Sequence, residues 1–305
     1  MATQGKEGRG TRLKRFLLTF LAAVLLYTCT PVGDSFWKWA GTASGFGDWQ
    51  EGGLLEIHVI DVGKADAILL KSRGRAALLD AGKPVAGGAV ADYLSRHGVE
   101  ELDWLIMSHP DSDHIGGMAQ VLWDIPVENF VQAAVTEEVE EHTPAFAQLQ
   151  TALEKKAPNR MLLEPGQSFL LGDAMLTALG PAQDYGESNN NSLVLRLDCG
   201  GFTALFCGDM EREAEEGLLT SGLSLRADWL KVAHHGSKTS STQSFLEAVS
   251  PRYAVISAGP DRNRLPREET LIRLEGIGAE LYRTDTDGDL VFLYDGKTVS
   301  IKTEK

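Results

Sequence analysis

One stretch constrains this chain more than any other: Ser108-His109-Pro110-Asp111-Ser112-Asp113-His114-Ile115-Gly116-Gly117. Two imidazoles and two carboxylates fall within six consecutive positions, directly after the apolar run Trp104-Leu105-Ile106-Met107. Such a run reads as a buried strand, so the four polar side chains sit in the loop at its end. A solvated turn has no use for that density of metal-binding groups. Carboxylates mixed with imidazoles suit divalent zinc or manganese. A polar turn with an aspartate capping the next helix is the plain alternative, and the rest of the chain decides between the two.

With 305 residues, 43% hydrophobic and 24% charged, the composition is ordinary for a globular protein and permits a substantial core. The 29 basic and 43 acidic residues give a formal charge of −14. That argues against a protein that coats nucleic acid by bulk electrostatics, but not against an enzyme that grips a phosphodiester through a local basic rim and a metal. Cys29, Cys199 and Cys207 make neither a disulfide framework nor a CxxC pattern. Cys199 and Cys207 belong to neighbouring apolar runs and read as small buried hydrophobes.

At the N-terminus Lys6, Arg9, Arg12, Lys14 and Arg15 precede an apolar stretch over 16–27. This is the pattern of a secretory signal or signal anchor, although the stretch is shorter than the ~20 residues of a comfortable membrane span. The expectation is export, with 1–30 as signal peptide or membrane anchor. Residues 31–53, rich in Gly, Ser, Trp and Asp, read as a linker whose Trp37, Trp39 and Trp49 could pack onto the domain that follows. Residues 54–305 then form one domain.

Within that domain, alternation predicts strands over 54–60, 67–71 and 76–79, a helix over 85–97 and a strand over 104–107. After the ligand loop come a helix from near Ile115, a strand over 127–131 and a helix over 144–155. Further strands fall at 174–179, 192–197 and 202–206, followed by a short acidic helix over 211–219. The remainder reads as strand 229–232, helix 241–249, strand 253–257, helix 267–275 and strands 280–282, 289–294 and 298–301. Strands come in runs rather than in one-to-one βα alternation, which suits sheets packed face to face with helices outside.

Further polar groups recur where apolar runs end. Asp80 closes Ala76-Ala77-Leu78-Leu79, and Asp209 closes Leu205-Phe206-Cys207-Gly208. His234 and His235 close Leu230-Lys231-Val232-Ala233 and lead into Gly236-Ser237-Lys238, while Asn189-Asn190-Asn191-Ser192 precedes a strand. Alone, either aspartate is an ordinary turn residue, and a histidine pair is an ordinary hydrogen-bonded feature. Together they point to one centre held at strand ends.

In order and spacing, these blocks resemble the motifs of the metallo-β-lactamase superfamily of metallohydrolases. The blocks are Asp61-Val62-Gly63-Lys64-Ala65-Asp66-Ala67, Leu79-Asp80-Ala81-Gly82, the ligand loop through Gly117, Asn191-Ser192-Leu193-Val194-Leu195, Gly208-Asp209 and His234-His235-Gly236-Ser237. More narrowly, the chain resembles the extracytoplasmic hydrolase domain of the ComEC competence proteins and its stand-alone relatives, over roughly 54–302. The resemblance implies an α/β fold, a four-layer αββα sandwich, with two divalent metal ions, zinc or manganese, at one edge between the sheets. Carried over by position, His109 and Asp111 face one metal, Asp113 and His114 face the other, and Asp209 bridges. His234 completes the set in preference to the adjacent His235, which takes a catalytic role beside Asp113. Asp80 serves as acceptor for a metal-bound histidine, and Asn191 stands about where relatives place another ligating histidine.

The chain departs from the resembled group in three ways. Gly63-Lys64-Ala65-Asp66 replaces the usual Gly-Gln-Gly-Asp, so Lys64 could meet a phosphate or simply be exposed. Asn263-Arg264-Leu265-Pro266 stands where relatives carry Asn-x-Tyr-Gly-His-Pro, without the Tyr and His, which puts turnover and substrate identity in question. No long multi-span hydrophobic region like that of a transport channel is visible. By resemblance the chain is a metal-dependent hydrolase with a metal-activated hydroxide as nucleophile, a phosphodiesterase or nuclease acting on extracellular DNA or a related phosphoester. Ser237 and Lys238, with Lys64 and the basic Arg262, Arg264 and Arg267, could contact that phosphate. Hydrolysis of another ester, lactone or lactam, or a non-catalytic metal-binding module, stays open. The partners expected are a phosphodiester and, through an uncleaved N-terminal segment, a membrane; no protein partner is inferable.

Overall fold

The computed structural model describes residues 54–137, 143–260, 262 and 264–304. The expected signal segment, the linker with its tryptophans, and Asn263 lie outside the described residues. No helix among the described residues is long and apolar enough to cross a membrane.

Three strands open the domain: β1 (Leu55–Val59), β2 (Ala67–Ser72) and β3 (Arg75–Ala81), each antiparallel to the next. The chain then changes mode. Helix α1 (Gly87–Arg96) carries it across to β4 (Leu102–Ile106), parallel to β3. Helices α2 (Ser112–Ile115) and α3 (Met118–Asp124) lead to β5 (Val127–Ala133), and α4 (Pro144–Lys156) leads to β6 (Asn159–Leu163), both again parallel.

The second sheet repeats this plan. Strands β7 (Ser168–Leu171), β8 (Ala174–Gly180), β9 (Val194–Cys199) and β10 (Phe202–Phe206) are antiparallel neighbours. Helix α5 (Arg212–Thr220), β11 (Trp229–Lys231), α6 (Gln243–Val249), β12 (Tyr253–Ile256), α7 (Glu268–Gly276) and β13 (Glu280–Arg283) continue with parallel pairing. After α8 (Thr284–Asp287), strands β14 (Leu290–Tyr294) and β15 (Val299–Thr303) return to the first sheet beside β1. The orders are β15-β14-β1-β2-β3-β4-β5-β6 and β13-β12-β11-β10-β9-β8-β7.

Side-chain alternation explains the layers. Ile68 and Leu70 of β2 and Ala77 and Leu79 of β3 meet Leu195, Leu197, Ala204 and Phe206 in the core between the sheets. Their neighbours Leu69 and Leu78 face the other way, under Val90 and Leu94 of α1, Val121 of α3 and Leu149 of α4. In the second sheet Leu205 and Leu230 lie under Leu218 of α5, Phe245 of α6 and Leu274 of α7. Strands covered on both faces read as nearly unbroken apolar runs. The fold is the expected αββα sandwich.

β6 and β7 are absent from the sequence-based expectation. Each is the edge of its sheet, and Asn159, Arg160, Ser168 and Leu170 are exposed, so the apolar alternation is short. The helix expected from Ile115 is split into α2 and α3 at Gly116-Gly117.

The loop from β1 to β2 is pinned where β14 begins: the Asp61 N–H donates to Asp289 Oδ1 at 2.5 Å. Burial pushes the Asp289 carboxyl up to about 6, with Glu304 adding to the rise against that N–H. Between the ordinary carboxylate range and 6 the folded chain holds a proton that the unfolded chain releases. Stability therefore falls as pH rises through that window. Asp289→Asn, which keeps the Oδ1 acceptor, is expected to raise the melting temperature at pH 7.5 relative to the parent. The gain should shrink below pH 5; a gain equal at both pH values, read by differential scanning calorimetry, contradicts the assignment.

Candidate metal centre

The ligand loop folds onto the turn after β3. Asp111 is extended at φ −66°, ψ 143°, and its carbonyl accepts the His114 and Ile115 N–H groups, starting α2. Gly117 lies so close to the β3 exit that a Cβ there would sit 2.1 Å from the Ala81 carbonyl oxygen. Only glycine fits this approach, and the Gly117 N–H donates to the Gly82 carbonyl at 3.1 Å. The ring centroids of His109 and His114 are thereby 4.1 Å apart, and those of His114 and His235 are 5.4 Å apart.

Hydrogen bonding fixes which nitrogen each ring turns inward. Ser108 Oγ gives its single proton to Asp80 Oδ2 at 2.6 Å, so it accepts from His109 Nδ1 at 3.0 Å. His114 Nδ1 donates to Asp80 Oδ2 at 2.8 Å, and His235 Nδ1 donates to the Ser257 carbonyl at 3.0 Å. All three rings are fully buried. Their Nε2 atoms, with Asp209 Oδ1, have no hydrogen-bond partner. Buried polar atoms left so are costly. One ligand atom each from His109, His114 and Asp209, and likewise from Asp113, His114 and His235, lie within 4.8 Å of one another. Outward-pointing Nδ1 donors and converging Nε2 atoms are what metal-binding histidines require. The donor set fits divalent cations.

Electrostatics points the same way. Burial alone would raise the Asp209 carboxyl, but His235 and His114 hold it well below the ordinary range. Burial would lower His114, yet Asp209 and Asp80 raise it well above its usual value. In His235 burial wins and takes the ring down to about 4 despite Asp209 and Asp66, so it is a neutral donor at pH 7. Burial would also raise Asp113, which His114 and Lys64 instead lower. The centre is rich in negative charge and short of cations.

Most of the expected residues meet here, with some adjustments. His235 Nε2 lies 3.6 Å from Asp209 Oδ2 and 3.8 Å from Asp113 Oδ2, which puts His235 within the ligand cluster. His234, the expected ligand, has its Nδ1 3.1 Å from Glu211 Oε1 at the mouth and its Nε2 3.8 Å from Asp209 Oδ2. The two histidines thus exchange the places expected of them. Both adopt left-handed backbone, φ 49° and 50°, so successive side chains diverge. Asn191 is buried with both amide ends engaged, accepting from the Tyr185 N–H at 2.9 Å and donating to Asp184 at 2.8 Å. It anchors a loop and offers nothing to a metal. Asp111 Oδ2 stands 3.7 Å from His109 Nε2, while its Oδ1 accepts from Ser188 Oγ at 2.6 Å. Burial would raise the Asp111 carboxyl, but His109 and Ser188 hold it at about 2. Lys64 is not simply exposed: its Nζ lies 2.6 Å from Asp113 Oδ2. Asp80 takes the expected acceptor position. Ser237 Oγ is bonded to Thr239 Oγ1 at 2.9 Å, and Lys238 is exposed beside it.

Sequence reasoning missed a buried pair. Lys231 Nζ lies 2.9 Å from Asp66 Oδ2, and both residues are 1% exposed. Burial would raise Asp66, but Lys231 first, then His235 and His114, hold it at about 2. The signal was present, since a lysine within the apolar run Trp229-Leu230-Lys231-Val232 does not bury without a partner.

Comparison with known proteins follows the same lines. The Metallo-beta-lactamase superfamily pattern matches residues 60–259. The chain is 30% identical to ComE operon protein 3 of Bacillus subtilis, covering 79% of this chain and 33% of that protein. It is 32% identical to competence protein ComA of Neisseria gonorrhoeae, covering 92% of this chain and 38% of that one. The chain thus spans little more than a third of these relatives' length. Among solved structures, the metallo-beta-lactamase fold protein YhfI of Bacillus subtilis superposes with a TM-score of 0.51 at 15% identity, covering 77% of this chain and 98% of that one.

Two outcomes test the centre. His235→Ala should lose most bound metal after dialysis, whereas His234→Ala should retain it, as measured by plasma mass spectrometry; the reverse pattern would restore the sequence-based assignment. Lys231→Met leaves the buried Asp66 charge unpaired and should cost about 3–5 kcal/mol in urea unfolding. Adding Asp66→Asn to that variant should recover a large part of the loss.

Proposed function

The chain belongs to the metallo-beta-lactamase superfamily of metal-dependent hydrolases, and from that premise we propose that it cleaves phosphodiesters, DNA among them, outside the cytoplasmic membrane. His109, His114, Asp209, Asp113 and His235 would hold divalent ions, which would supply Lewis acidity and acidify a water near neutral pH. The chain's own groups do the rest. Asp80, Ser108 and Ser257 hold the imidazoles in one tautomer each. Asp113 offers an acceptor toward the attacking water. His234, whose Nδ1 lies 3.1 Å from Glu211 Oε1 beside the centre, would give a proton to a departing alkoxide.

The observation that carries the phosphodiester reading is the unequal charge of the mouth. The Arg267 N–H donates to the Gly236 carbonyl at 2.9 Å, so the segment bearing Arg264 and Arg267 abuts the His235-Gly236 turn and its exposed Lys238. Next to the same turn a cavity of about 460 Å³ is lined by Tyr185, Glu187, Asn189, Asn190, Glu211 and Glu213, with Glu211 Oε1 accepting from Thr239 Oγ1 at 3.0 Å. On a chain of net charge −14, a basic rim at this place favours a phosphate approaching from the arginine side. A relative named as a competence protein supports the same reading. The basic flank and apolar stretch at the N-terminus support export and membrane attachment.

The test is hydrolysis of single- and double-stranded DNA and of bis-p-nitrophenyl phosphate by the full chain, with lactone and lactam substrates in parallel. Diester cleavage should vanish with EDTA and return with manganese or zinc. Asp113→Ala should lower kcat by at least about a hundredfold. Arg264→Ala combined with Arg267→Ala should raise KM for DNA roughly three- to tenfold, mainly at low salt. Turnover of lactones or lactams without any diester cleavage would overturn the reading, and full metal loading without turnover of any of them would favour a silent module.

A further inference from the structure

The two ligand clusters differ in one respect that no chemistry described so far uses. Lys64 Nζ sits 2.6 Å from Asp113 Oδ2, with each side chain only 16% exposed. That oxygen is the one that faces His235 Nε2 across 3.8 Å. The lysine is therefore bonded to the atom that the Asp113–His114–His235 cluster would offer to a cation. In the His109–His114–Asp209 cluster, His109 and Asp209 have no lysine or arginine among their ion pairs with the described residues, and the buried Lys231 is turned to Asp66 instead.

Nor is Lys64 a surface side chain that has wandered in. The Gly63 N–H donates to Asp61 Oδ1 at 3.2 Å, and the Asp66 N–H donates to the Asp113 carbonyl at 3.2 Å, tying the loop to Asp113 itself. Ala65 is fully buried. Gly259 presses on the loop from outside, where a Cβ would lie 2.6 Å from Gly63 Cα and 2.7 Å from the Lys64 nitrogen. The backbone delivers the ammonium to this carboxylate.

Resting on the metal-dependent reading above, we propose that Lys64 is a built-in competitor for one of the two cations. Its ammonium neutralises Asp113 until a divalent ion on the side of Asp113 and His235, with Asp209 Oδ2 3.6 Å from His235 Nε2, displaces it; His114 Nε2, a single lone pair, stays with the first ion. The consequence is ordered loading: the His109–His114–Asp209 cluster fills first and tightly, and the second ion binds more weakly because it must break a charge-assisted hydrogen bond. Such bonds are strong enough to weaken the second step by roughly tenfold to a hundredfold.

Calorimetric titration of the metal-stripped full chain with manganese, and separately with zinc, tests this. The parent should show two steps, the second weaker. Lys64→Gln and Lys64→Met should each tighten the second step by roughly tenfold or more and leave the first unchanged, while Lys64→Arg keeps the parent's pattern. Asp113→Asn should abolish the second step in either background. Two equally tight steps in the parent, or an unchanged second step in both Lys64→Gln and Lys64→Met, would overturn the competitor role and leave the metallohydrolase reading intact. No binding of either metal by any form would overturn both.

Discussion

A single buried carboxylate organises the centre. Asp80 accepts the Ser108 N–H at 2.9 Å and the Ser108 hydroxyl at 2.6 Å, and it pairs with His114 Nδ1 at 2.8 Å. Through Ser108 it also fixes His109. Its own backbone is left-handed, φ 57°, a conformation costing on the order of 1–3 kcal/mol away from glycine. Three hydrogen bonds to a charged group, each contributing about 1.5–3 kcal/mol, outweigh that strain. The β3 exit, the β4 exit and α2 are locked together by side-chain chemistry before any cation is considered.

The fold places an equivalent group in its other half. Each sheet begins with antiparallel strands and changes to parallel crossovers, and the change falls at β3 in one and β10 in the other. An aspartate stands at each change: Asp80 at the end of β3 and Asp209 just past β10. At such a point the chain leaves the sheet for a helix on its outer face, so the strand end carries a loop that neighbouring strands do not cover. Asp80 orients imidazoles from behind, while Asp209 meets them face on, 3.3 Å from His114 Nε2. One position became the brace and the other a ligand.

Burial decided what the sequence could reveal. β2, β3 and β10 were legible because apolar residues fill both their faces, and β9 because Arg196 and Asp198 alternate with buried apolar residues. β6 and β7 were not, because Asn159, Arg160, Ser168 and Leu170 leave only a short apolar alternation, whereas the opposite edges β13 and β15 were legible. His109, Asp113, His114 and Asp209 announced themselves through density and position at strand ends. The roles of His234 and His235 could not be separated, since the choice depends on two successive left-handed residues, and no pattern of residue types encodes that here. Asn191, expected behind the metal ligands, serves as a loop anchor, with Asp184 and Tyr185 engaging its amide. Asp66 and Lys231 lie far apart in sequence, and only the sandwich brings them together.

The charge arrangement gives a reason for that pair. Asp66, Asp80, Asp113 and Asp209 stand around three buried imidazoles, and carboxylates this close repel one another unless cations intervene. Where the need is permanent, the chain supplies its own counter-ion: Lys231, on a strand and fully enclosed, holds Asp66 charged beneath His235. Toward the mouth the counter-charges are His114, shared between both clusters, and Lys64 on its loop. Lys64 can yield to a stronger cation because its side chain is partly open to solvent, whereas His114 is fully buried and yields only by giving up its Nε2 proton. The depth of each lysine therefore sorts the carboxylates into those that keep the frame charged and folded and those that can exchange one cation for another.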